Sequence, residues 1–289
     1  MCDDFTEADL DRAGIPVGRR SFAALAGIGV LTAALPARAI GGKPVKGRDV
    51  TVAAPDGSID AWFVAPAEGK HPGVLIWPDI RGLRPAFRQM ADRLAGDGYA
   101  VLCVNPFYRS APAPVVQPGD EFSDPAVRER LMGYRALLDM AAVQRDTAAL
   151  VPFIDAQPEV DIARKIAVTG YCMGGPMTIW TAAQDPERIG AAASFHGGGT
   201  ATDRPDSPHL LIPATSAGYL FAIAHNDDAK EPDEKDRLKA VLEPRAQWHE
   251  VEVYKGAMHG WCPPDSRAYD EAAAEKAWGR MLELFKASL

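Results

Sequence analysis

The sequence predicts an α/β fold built on a mainly parallel, doubly wound sheet with helices on both faces. Three observations carry this. Short continuous apolar runs alternate with helically periodic segments from residue 73 to the end. No linker, repeat or low-complexity stretch interrupts them. The 289 residues, 47% hydrophobic and 24% charged, have an ordinary globular composition with chain enough for one large domain.

The elements follow in order. Asp49–Ala53 and Ser58–Val64 alternate apolar and polar residues around Pro55-Asp56-Gly57, the pattern of a hairpin. Gly73–Trp77 is unbroken and apolar, as expected of a strand covered on both faces. Arg84–Gly96 then sets Phe87, Met90, Ala91 and Leu94 on one helical face, and Tyr99–Val104 is a second buried strand. Residues 105–125 form a long loop containing prolines, and Arg128–Ile154 is helical in two pieces. Further buried strands are expected at Lys165–Thr169, Ala191–Phe195 and Tyr219–Ala224, with helices at Gly174–Gln184 and Pro232–Leu242. Trp248–Tyr254 is the last strand and Ser266–Leu289 the closing helix. Active sites in open sheets of this kind lie outside the carboxyl ends of the strands.

The 31 basic and 39 acidic residues give a net charge of −8, which argues against a nucleic-acid surface. Four cysteines (Cys2, Cys103, Cys172, Cys262) are too few for a disulfide scaffold, and their spacing suits no zinc site. Cys103 falls within a buried strand and reads as core. The first 39 residues read as a leader. Arg19-Arg20-Ser21-Phe22 precedes a modest apolar run to Leu35, and Ala37-Arg38-Ala39 places small residues where signal peptidase reads them. A twin-arginine export signal is expected, with residues 40–289 as the mature domain and the periplasm, or secretion, as its destination. No membrane anchor is expected after cleavage, and the mature chain is expected to be a monomer.

Gly170-Tyr171-Cys172-Met173-Gly174-Gly175 stands between a strand and a helix. This is the G-x-S-x-G nucleophile elbow with cysteine in place of serine. The tight turn strains the central residue and lifts its side chain clear of the sheet, and the flanking glycines remove side chains that would collide across it. The helix behind Cys172 offers amide N–H groups and a positive dipole end to a thiolate or an oxyanion. An α/β-hydrolase triad runs nucleophile, acid, histidine along the chain. His259, in Gly256-Ala257-Met258-His259-Gly260-Trp261 after the final strand, stands where the histidine belongs. His225 is a rival, His249 reads as a strand residue, and His196 ends a strand before Gly197-Gly198-Gly199. The strand Tyr219–Ala224 ends in His225-Asn226-Asp227-Asp228; Asp227 is favoured as the acid over Asp228, because only one of two neighbours in an extended stretch can point inward.

These residues resemble the dienelactone hydrolase (carboxymethylenebutenolidase) family over nearly the whole mature chain, from about residue 48 to 287, as an exported member. The elbow, Asp227, Met258-His259-Gly260-Trp261, Gly98-Tyr99-Ala100-Val101 and Tyr269-Asp270-Glu271-Ala272-Ala273 carry the resemblance. It implies an α/β-hydrolase fold and a Cys–Asp–His hydrolase of lactones or carboxylic esters, with a small-molecule substrate, no metal and no cofactor. It also implies an oxyanion hole from the amides of Ile80 and Met173. Where the family carries a glutamate that contacts the resting thiol, this sequence has Asp79, one C–C bond (about 1.5 Å) shorter. Arg81 replaces an apolar residue and either clamps a substrate carboxylate or points to solvent. Arg109 falls near the family's substrate arginine, and Tyr171 and Trp261 are further substrate-binding candidates. Cys262 reads either as a packed thiol or as a disulfide partner of Cys172. Two competing readings are a non-catalytic exported binding protein on the same fold and a thiol-redox protein using Cys172 and Cys262.

Overall fold

A computed structural model describes residues 9–15 and 42–289. Most of the expected leader, including Cys2 and the Ala39 cleavage point, lies outside the described residues. One eight-stranded sheet dominates: β1 (Val45–Ala54), β2 (Gly57–Pro66), β3 (Gly73–Trp77), β4 (Ala100–Val104), β5 (Ile166–Tyr171), β6 (Ile189–Phe195), β7 (Gly218–Ala224) and β8 (His249–Tyr254). Its spatial order is β1-β2-β4-β3-β5-β6-β7-β8. β1 pairs antiparallel with β2, and β2 antiparallel with β4; all remaining neighbours are parallel. With the neighbours reported below, this is the α/β-hydrolase fold.

The continuous apolar runs have a two-sided explanation. On β7, Tyr219, Phe221 and Ile223 enter one core layer and Leu220, Ala222 and Ala224 the other. Period-two alternation therefore persists, with both faces apolar. One face is covered by α1 (Pro85–Gly96) and α7 (Glu271–Ser288). The other is covered by α2 (Pro125–Arg135), α3 (Met140–Asp155), α4 (Gly174–Gln184) and α6 (Glu234–Leu242). The segment expected in two helical pieces divides into α2 and α3, each opened by an aspartate cap: Asp124 accepts from the Ala126 N–H and Asp139 from the Ala142 N–H.

Three local differences have physical causes. The closing helix starts at Glu271 rather than Ser266, because Asp270 accepts from the Ala273 N–H and fixes the first turn there. A 3-10 turn at Pro208–Ala214 was not expected, since Pro208 and Pro213 break any readable period. Residues 225–228, read as extended, instead form a short helix, α5 (His225–Lys230). Its first turn still sends neighbouring carboxylates in different directions, as the next section shows.

Phe285 on α7 is fully buried between that helix and the sheet. Phe285→Ala should cost about 3–5 kcal/mol, read as a lowered urea midpoint at unchanged slope.

Candidate active site

The elbow is built from backbone contacts that side chains would forbid. Cys172 holds φ +55°, a strained region for a residue with a Cβ. A Cβ on Gly170 would lie 2.0 Å from the Gly174 carbonyl oxygen, and one on Gly174 would lie 2.5 Å from the Trp77 oxygen. Gly175 meets the end of β6 in the same way, with a virtual Cβ 2.6 Å from the Gly197 Cα. The turn is thus pressed against β3 on one side and β6 on the other. That contact brings the Met173 amide beside the loop carrying Ile80, and among the described residues neither amide donates to an intramolecular acceptor.

Two more strand ends converge here. His259 Nδ1 lies 2.6 Å from Asp227 Oδ2. Asp228 turns away and accepts from Lys235 Nζ at 2.6 Å. Burial alone would raise the Asp227 pKa; the charge and hydrogen bond of the His259 ring outweigh it and hold the carboxyl below its ordinary value. Asn226, unremarked in the sequence, accepts the His259 backbone N–H at 2.8 Å, while the His225 N–H donates to the Ala257 oxygen. Helix α5 and the histidine loop are therefore zipped together on both sides of the Asp227–His259 pair. His225 itself is exposed, and His249 bonds the Gln247 oxygen at the start of β8.

His196 is the residue that the sequence underrated. It is buried at φ +39°, and its ring meets His259 and Trp261 edge-on, each at 5.1 Å. Burial holds it well below the usual histidine pKa, which leaves an uncharged ring beside His259.

Several expected site residues stand elsewhere. Tyr171 follows the β5 alternation into the α1/α7 core layer, stacked on Phe195 at 5.0 Å, so it underlies the elbow instead of lining its mouth. Trp261 is likewise buried, stacked on Tyr254. Arg109 is committed to Asp146 and Asp56 at 2.6 and 2.7 Å, which ties it to α3 and the β1–β2 turn. Asp79 is taken by a buried fork: Arg84 Nη1 and Nη2 donate to its two oxygens at 2.7 and 3.0 Å. Arg84 also grips Asp265 through Nε and Nη2, at 2.7 and 2.9 Å. The carboxylate that the family resemblance assigns to the thiol is thus committed to a structural ion pair. Arg81 approaches Asp265 at 3.5 Å and stays about a third exposed. Arg84 was read only as a helix start, and nothing in the local sequence pairs it with residues 79 and 265.

Cys172 is disulfide-bonded in this structure, whereas Cys103 and Cys262 are free, buried thiols. The Cys172–Cys262 pairing considered from sequence is therefore not formed. Beside Asp227 opens a cavity of about 380 Å³ lined by Thr202, Lys230, Glu231, Glu234 and Arg237. Among the described residues no group of histidine, cysteine and carboxylate side chains is placed to hold a metal, and no helix is long and apolar enough to cross a membrane.

The sequence signature of the Dienelactone hydrolase family matches residues 59–289. The carboxymethylenebutenolidase of Pseudomonas putida is 26% identical over 223 residues, 76% of this chain and 87% of that one. That of Rhodococcus opacus is 25% identical over 221 residues, 75% and 82% of the two chains. Among solved structures, a dienelactone hydrolase-like promiscuous phosphotriesterase from metagenomic libraries superposes with a TM-score of 0.68 at 23% identity, covering 84% of this chain and 98% of that one.

Replacing Arg84 strands Asp79 in the interior. Arg84→Met should cost about 3–5 kcal/mol at neutral pH. Asp265, whose burial is outweighed by Arg84, sits below its ordinary 3.8. Its share of the stability is present above that value and lost as pH falls through the depressed one. Urea unfolding of wild type and variant at pH 7 and about pH 3 should therefore show a smaller difference in acid.

Proposed function

The chain belongs to the dienelactone hydrolase family, and on that premise we propose that it hydrolyses a lactone or carboxylic ester through Cys172, His259 and Asp227. The observation that carries the reading is the 2.6 Å bond from His259 to Asp227, at a strand end beside an elbow whose cysteine holds a positive φ. Once Cys172 is a thiol, His259 takes its proton, and the sulfur attacks the ester carbonyl. The oxyanion is met by the amides of Met173 and Ile80. Collapse expels the alkoxide or enolate, which His259 protonates, and leaves a thioester on Cys172. Water, deprotonated by His259, then hydrolyses the thioester and restores the thiol. Asp227 fixes the ring tautomer and steadies the imidazolium in both halves.

Asp79 plays no part in thiol activation in this reading, because Arg84 holds both its oxygens. His259 alone then makes the nucleophile. The paired arginines, apolar run and Ala37-Arg38-Ala39 support export through a leader removed after Ala39.

The reduced full-length chain, incubated with p-nitrophenyl acetate and mapped by mass spectrometry, should carry acyl on Cys172. Cys172→Ala should carry none, and turnover without a Cys172 adduct would overturn the mechanism. Asp227→Asn should lower kcat/KM by about 10²–10⁴-fold while the chain still folds.

A further inference from the structure

We propose that a cavity beneath the elbow, between α1 and α7, is a second small-molecule site that takes a neutral, flat aromatic molecule and acts on the elbow from behind. It holds about 200 Å³ and shares no lining residue with the cavity beside Asp227. Tyr171, Phe195 and Cys262 form its floor, and Met90, Ala277 and Trp278 its walls, none of them more than 8% exposed. These residues belong to the α1/α7 layer of the core, whereas Cys172 enters the other layer. The cavity is therefore separate from the triad.

Volume and lining select the ligand. An apolar cavity of about 150 Å³ stays dry and accepts a benzene-sized molecule, so this one has room for a fused pair of rings. The Tyr171, Phe195 and Trp278 rings favour an aromatic occupant over an aliphatic chain. Charge is cancelled at the mouth. Arg93 donates to both oxygens of Glu275 at 2.6 and 2.7 Å, joining α1 to α7, and its guanidinium lies over the Trp278 ring at 4.3 Å. Among the described residues no other charged side chain lines the cavity, so an ionic ligand meets no unspent counter-charge. The free, buried Cys262 thiol makes no hydrogen bond among the described residues and faces this space. A sulfur so placed packs well at the edge of a ring.

The floor is also the underside of the elbow. Tyr171 and Phe195, stacked at 5.0 Å, immediately precede Cys172 and His196, which hold φ +55° and +39°. Strained positions of this kind persist only because their surroundings fix them. His196 in turn meets the His259 ring. A ligand ring pressed on the Tyr171–Phe195 stack thus loads both strained positions at once without touching the triad.

The reduced full-length chain should be labelled with iodoacetamide at increasing indole, with Cys262 and Cys172 read separately by peptide mass spectrometry. Burial of about 200 Å² of aromatic surface corresponds to a Kd on the order of 0.1–1 mM. Indole should protect Cys262 with that midpoint, and the labelling rate of Cys172 should shift with the same midpoint. Gln89→Trp covers the mouth from an exposed position, and Ala277→Leu fills the interior. Each should raise the midpoint about tenfold or more. Absence of saturable protection at Cys262 in wild type, or protection undiminished in Gln89→Trp, overturns the site. A Cys172 rate that does not move, or a shift that survives in Gln89→Trp, overturns the link to the elbow. Neither readout needs ester turnover, so failure of the hydrolase reading leaves the site standing.

Discussion

The site depends on one close approach of backbones, the elbow of β5 and α4 against the ends of β3 and β6. Gly174 sits where any Cβ would enter the Trp77 carbonyl, and Gly175 and Gly197 lie against each other with no room for side chains. This tight packing is what makes the strained φ of Cys172 affordable, because the surrounding structure over-determines it. It also fixes the Met173 amide relative to the loop carrying Ile80. An oxyanion pocket of two amides requires placement within a few tenths of an ångström, and side-chain packing alone rarely provides that.

Behind this frame, buried charge is arranged as matched pairs. Asp227 answers His259, and Asp79 and Asp265 together answer Arg84. The Arg84 fork welds the β3–α1 loop, which carries Ile80, to the 263–268 loop that follows His259. It therefore holds the loop carrying Ile80 and the loop that follows His259 in register, with both Asp79 oxygens taken up in the pair. A buried pair of this kind adds little net stability over a well-packed apolar substitute, yet breaking it is expensive. Positional specificity is the gain.

Much of this was legible from residues, and the boundary of legibility is physical. The elbow announces itself because its glycines, strand and helix are consecutive. The parallel strands of the sheet are legible because two-sided burial leaves unbroken apolar runs such as Gly218–Ala224. Asp227 was favoured over Asp228 on the premise of an extended chain. The chain there is helical, and the two still diverge because successive helical residues point about 100° apart. What stayed hidden are partnerships across sequence distance. Arg84 with Asp265, Arg109 with Asp146, and Asn226 with both Asp9 and His259 carry no local signal. Tyr171 and Trp261 both pack into the α1/α7 core layer, because a motif names a neighbourhood, whereas strand alternation and loop packing decide which side of it a side chain enters.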